Sequence, residues 1–290
     1  MTNHRITGIG FLSLTALLTA CGNQSESGES VEEIVNQSQE AMHELESYAV
    51  EMNMTQHMGM GEDSEDAMVI HSESFMDITL DPMTFKQEMV MDLSEMGGLA
   101  GNDADETEMS YLSYFHEEDG LFVEDPAMGT WMKFPESYLD DVLAMSDMQM
   151  NPQEQLQFLE QYMTELSLEE DEDYYHITLI TEDIQMEELM EALQGLDADA
   201  PGLEGMDELF GMMELKELDY SITIAKDTYY QTEGTMNMIM AMDMMGQNIT
   251  TEQKTHMIMS QFNDIEPVNI PQDVLDNAEE IDDMHGVPGM

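Results

Sequence analysis

The stretch TMNMIMAMDMMGQ, residues 235–247, holds six methionines in the ten positions from Met236 to Met245. Met236, Met238, Met240, Met242 and Met244 stand at every second position, with Asn237, Ile239, Ala241 and Asp243 between them. Successive side chains of a strand point to opposite faces. The alternation therefore predicts one long strand with a thioether wall on one side. Strands are also predicted at 215–225, 229–244 and 247–262.

The same period of two recurs upstream. Met52, Met54, Met58 and Met60 share one parity, opposite Asn53, Thr55 and His57. Further strands are expected at about 67–80, 85–93, 109–116, 121–124, 130–134 and 174–181, separated by Gly, Pro and Asp turns. Helical spacing replaces alternation elsewhere. Ser30-Val31-Glu32-Glu33 is a capping box that opens a helix of about 17 residues. Helical faces follow at Tyr138–Leu143, at Leu156, Leu159, Met163 and Leu166, and at about 184–193. The strands come as hairpin neighbours, which predicts an antiparallel sheet. About ten strands and a few helices can bury one core if the sheet curls around the helices. The expected class is α+β.

The N-terminus reads as processing rather than fold. Behind Arg5, Ile6 to Leu17 is apolar but too short to span a bilayer permanently, and Leu18-Thr19-Ala20 has the small residues of a secretory cleavage site. Cys21, the only cysteine among 290 residues, directly follows them. This pattern resembles a bacterial lipobox, in which the cysteine is acylated and the chain is cut before it. The expected organisation is a signal peptide at 1–20, lipidated Cys21 and a flexible stalk to residue 30, one domain at 31–272, and a loose acidic tail at 273–290. Acyl chains at Cys21 would hold the protein on the extracytoplasmic face of the cell membrane.

Charge excludes a class of partners. From Cys21 onward five lysines face 64 acidic residues, a net charge of −59. Phosphate backbones are bound by cationic surfaces, so nucleic acid is excluded. The acids are spread along the chain, as on the solvated surface of a salt-adapted protein.

No catalytic pattern is present: there is no Gly-x-Ser-x-Gly and no His-Glu-x-x-His. Glu117–Asp119 and Glu169–Asp173 read as solvated turns. Asp197, Asp199, Gly202 and Glu208 approach a calcium loop, but Pro201 occupies a ligand position. Thioethers suit Cu(I), with His256 the nearest second ligand. The 34 methionines are nevertheless spread over the whole chain, so no metal or cofactor is assigned. The methionine wall is then either ordinary packing or the lining of a ligand cavity. Trp131 and its neighbouring tyrosines form a packed aromatic strand or a binding platform.

Several features together resemble the LolA/LolB-like half-barrel superfamily. They are the lipobox and stalk, the helix ending in Leu45-Glu46-Ser47-Tyr48, the aromatic set Tyr111, Tyr114, Phe115 and Trp131-Met132-Lys133, and the closing run from Ser260 to Pro271. The chain is most similar to Gram-positive lipoproteins of that fold, and more distantly to LppX/LprG-type lipoproteins. The resemblance implies a curved antiparallel half-barrel of about 10–11 strands, with helices on its concave face around an apolar cavity. It implies no catalytic residues. The expected function is non-catalytic binding of a lipid or acyl chain. Candidate lining residues are Met236, Met238, Met240, Met242, Met244, Met52, Met54 and Trp131. The alternative is a ligand-free sensor or interaction domain that contacts an envelope protein.

Overall fold

The computed structural model describes residues 28–60, 68–94, 108–126, 128–135, 156, 166–182, 213–244 and 247–281. Helix α1 (Val31–His43) comes first. Six strands follow: β1 (Ser47–Met60), β2 (Met68–Leu80), β3 (Met83–Asp92), β4 (Glu108–His116), β5 (Gly120–Asp125) and β6 (Thr130–Lys133). Next are β7 (Leu166–Glu170), β8 (Tyr174–Glu182), β9 (Met213–Ala225), β10 (Gln231–Met244) and β11 (Gln247–Ser260). Helix α2 (Gln272–Asn277) and β12 (Glu279–Glu280) close the order.

All twelve strands form one sheet in the order β12-β6-β5-β4-β3-β2-β1-β11-β10-β9-β8-β7. Every neighbouring pair is antiparallel except β12 with β6. The outermost strands do not pair with each other, so the curved sheet stays open as a half-barrel of the α+β class. Chain-neighbour hairpins build both wings. The long-range pairing of β1 with β11, from Ala49↔Ser260 to Met60↔Ile249, joins them.

Helix α1 starts as its capping box predicts. The Ser30 hydroxyl accepts from the Glu33 N–H at 3.2 Å, and Glu33 Oε2 accepts from the Ser30 N–H at 2.9 Å. It is 13 residues long and ends at His43, four short of the expected length, because Leu45 already turns into the core ahead of β1. Val31, Ile34, Val35, Ser38 and Met42 form its buried face. All but Ser38 share one cluster with Tyr48, Val50, Met76, Ile78, Phe85, Phe115, Ile177, Ile222, Ile224, Met257 and Met259. The core therefore lies at the end of the sheet where β1 begins and β11 finishes.

Four expectations are corrected. Leu166 is not on a helix but opens β7, buried at 3% exposure and paired with Leu179 of β8; the alternation Leu166-Ser167-Leu168 decides the matter. The tail is not loose from residue 273. Ile270 and Val274 pack with Phe122 on the sheet's other face, and Glu279–Glu280 extend β6. The stalk is already fixed at Glu29, which is held by two tyrosine hydroxyls. Twelve strands replace the expected 10–11, because β7 and β12 were not legible as strands. Leu156 is helical and fully buried in the main cluster. The other positions of the helices expected at 138–165 and at 184–193, and also the signal peptide, Cys21 and the Asp197–Glu208 segment, lie outside the described residues.

Candidate functional site

Strand alternation and register decide what each face of the sheet carries. On the face that packs α1, β1 contributes Tyr48, Val50, Met52, Met54, Gln56 and Met58. One row at mid-height runs Met91–Ser72–Met54–Thr255–Met236–Tyr220 across six strands. The next row contains Ile70, Gln56, Gln253, Met238 and Leu218, and the one beyond it Met68, Met58, Thr251, Met240 and Leu215. Along β1–β4, β10 and β11 no charged residue falls on this face, although the chain carries 64 acids. Glu51, Glu73, Asp77, Glu88, Asp92, Glu233 and Glu252 all alternate to the other face. A face that is acid-free in so acidic a chain is one that keeps water off it, because an unpaired carboxylate is costly to desolvate.

This face divides into two parts. Below mid-height it is closed by α1, and Met42, Met76, Met257 and Met259 are 1–4% exposed. Above, Met54, Met58, Met68, Met89, Met91, Met109, Met236, Met238, Met240 and Met242 are half-buried. Met236, Met238 and Met240 lie against buried Leu215 and Leu218. Gly234 belongs to the boundary: a Cβ there would come within 3.3 Å of the Met257 methyl. The upper wall is not uniformly apolar. Neutral hydrogen-bonding groups, Ser72, Gln56, Gln253, Thr251 and Thr255, run up its middle on β2, β1 and β11, with methionines on either side. Gln253 Nε2 donates to Thr255 Oγ1 at 3.3 Å, and Gln87 Nε2 to Ser74 Oγ at 3.0 Å. This polar seam was missed in the sequence. Its signal was the parity that Gln56 shares with Met54 and Met58.

The predicted lining residues separate. Met52, Met54, Met236, Met238, Met240 and Met242 come together on the charge-free face, Met52 at its packed border. Met244 is the last residue of β10, paired with Gln247. Trp131 is corrected: it pairs with Glu124 on the opposite face, its ring 5.6 Å from Tyr114, beside buried Phe122, Ile270 and Val274. It is part of the minor core beneath α2, not of the methionine wall. His256 is also on the outer face, 2.7 Å from Glu233, so it cannot join the wall's thioethers around one metal ion. No group of three or more His, Cys, Asp or Glu with metal-binding spacing occurs among the described residues.

Glu117–Asp119 is a turn, but the second run is one only from Asp171 onward: Glu169 and Glu170 are the last residues of β7, and Glu170 is ion-paired with Lys226. Glu117 Oε2 accepts from the Met83 N–H at 3.0 Å. Asp171 accepts from the Asp173 and Tyr174 N–H groups at 2.9 and 2.8 Å. Those bonds, together with His176, hold the Asp171 carboxyl below its ordinary value. The outer face is the ionic one. Lys86–Glu88, Lys216–Glu214 and Lys254–Glu252 pair within single strands at 2.5–2.7 Å. Exposed pairs of this kind add little stability.

In comparisons with known proteins, a model described as a family of unknown function, DUF6612, matches residues 30–279. No curated protein matches. A crystal structure from Nitrosomonas europaea named for AttH shares 7% identity over 76% of this chain and 52% of its own, with a TM-score of 0.22. A β-barrel-like protein of the domain of unknown function DUF1849, from Brucella abortus, shares 7% identity over 71% of this chain and 95% of its own, with a TM-score of 0.15. The chain thus spans about half the length of the Nitrosomonas protein. Superpositions this weak carry no argument.

Proposed function

The chain belongs to the DUF6612 family, and on that premise we propose that it is a membrane-anchored extracytoplasmic lipoprotein that binds an apolar ligand, a lipid or acyl chain, and does no chemistry. The LolA/LolB-like pattern and the lipobox at Cys21 support this reading. The observation that carries it is the upper half of the α1 face, which is free of charge yet only half-buried. Apolar burial would supply the affinity. An acyl chain covering about 300 Å² of this wall gains roughly 7 kcal/mol before the cost of association is subtracted. Methionine side chains are flexible and polarizable, so they adapt to ligands of different shape. The neutral seam of Gln56, Gln253 and Thr255 suits an uncharged ester or hydroxyl. The acidic outer surface would keep the domain off anionic headgroups and tolerate high salt.

The test is uptake of a fluorescent fatty acid by the protein in high salt. Saturable binding that Met238→Glu abolishes, with the fold retained by circular dichroism, supports the proposal. Absence of uptake by the unaltered protein sinks it, and favours a domain whose upper face is filled and which contacts another envelope protein.

A further inference from the structure

The chain enters the fold through a clamp on Glu29. The Tyr175 hydroxyl donates to Glu29 Oε2 at 2.7 Å, the Tyr229 hydroxyl to Oε1 at 2.9 Å, and Gln37 Nε2 to Oε1 at 3.0 Å. The two rings stack at 6.3 Å, and Lys226 Nζ lies 5.0 Å above Tyr175 while bonded to Glu170 at 2.5 Å. Tyr229 sits at φ 57, a left-handed conformation that a bulky residue adopts at a cost. Such strain persists where the surroundings fix it, and here the gain is the bond to Glu29. Burial and the Glu29 carboxylate push the Tyr229 phenol up to about 12.

The clamp is at the end of the sheet that holds the β7–β8 and β9–β10 turns. The methionine wall climbs away from it along β10. From Gln231 to Met242 is eleven residues, about 36 Å of strand at ~3.3 Å each. The tether from Glu29 back to Cys21 is eight residues, at most about 28 Å when fully extended. An end-on pose with the Met242 end on the bilayer would hold the clamp farther out than the tether reaches. A sideways pose on the outer face presses an acidic surface against the headgroups, which repel it; one on the methionine wall would bring the two ends of β10 equally close to the bilayer. We propose that the Glu29 clamp fixes the anchored domain with its methionine wall directed away from the anchoring membrane, so that apolar ligand is exchanged on the far side and not drawn from that bilayer. This rests on the lipoprotein reading of Cys21.

The experiment keeps the two apart. The full chain is expressed, and the mass of the membrane-extracted product reports whether Cys21 is acylated. That result alone decides the anchor. Orientation is read on vesicles containing a dansyl-headgroup lipid, by energy transfer from an added tryptophan, with the Trp131-only parent subtracted. Asp227→Trp marks the clamped end and Asn248→Trp the far end; both sites are exposed. If Cys21 is not acylated, coupling this single thiol to a maleimide lipid supplies the same tether. Strong transfer from position 227 and none above the parent from 248 is expected, and Glu29→Ala should raise transfer at 248 with the fold intact. Equal or greater transfer from 248 in the clamped protein overturns the proposal.

Discussion

Met42 of helix α1 and Met238 of strand β10 carry chemically identical side chains, yet they should behave differently when truncated. Met42 is 1% exposed in the α1 core, and its Sδ accepts the Gln231 N–H at 3.3 Å. Met42→Ala removes a fully buried side chain and leaves a cavity, a loss of about 3–4 kcal/mol. Met238 is half-buried against Leu215 and Leu218. Met238→Ala gives up only part of the transfer energy and opens onto space that is already incompletely filled, a loss of about 1 kcal/mol or less. Urea unfolding at one fixed high salt concentration measures both. With an unchanged slope, the midpoint should fall by more than about 1 M for Met42→Ala and by less than about 0.5 M for Met238→Ala. Fatty-acid binding should follow the opposite order. Equal stability losses would refute the reasoning, because Met238 would then be closed core and the upper wall could not receive a ligand.

Three further outcomes are expected. The Tyr229 phenol, raised to about 12 from an ordinary 10.0, favours the folded state below pH 10 and loses that contribution as pH rises through 12, since the folded state binds the proton longer; Tyr229→Phe should flatten the fall in urea midpoint across that window, and an unchanged fall counts against the clamp. Truncation after Glu266 removes Ile270 and Val274 from Phe122 and should shift the Trp131 emission to the red; unchanged emission would mean that α2 does not cover this surface. With a net charge of −59 from Cys21 onward, the domain should expand or unfold as salt drops from about 2 M to 0.05 M, and a constant circular dichroism spectrum over that range contradicts salt adaptation.

Strand β10 was legible because its alternation runs unbroken for nine residues, from Met236 to Met244. The α1 start was legible because Ser30 and Glu33 stand three apart. Of the short elements, β5 and β6 were legible between their turns, but others were not. β7 is five residues with two terminal acids, and Leu166 also fits the helical spacing of the segment before it. Helix α2 hides between Pro271 and an acidic run, its only cue the spacing of Ile270 and Val274. Trp131 was assigned to the wrong face because parity within a four-residue strand means nothing until its register against β5 is known. The charge-free face could have been read in advance from the common parity of the acids within each strand. The pairing of β1 with β11 that makes it continuous could not, because nothing local specifies a contact about 200 residues apart.

The most direct measurement is native mass spectrometry of the protein purified folded in high salt, compared with the denatured chain and followed by extraction with organic solvent. Binding of an apolar ligand against the methionine wall predicts extra mass on the folded protein that leaves with the solvent as lipid and is reduced by Met238→Glu. A folded protein of the same mass as the bare chain, which still takes up no fatty acid when one is offered, would contradict it.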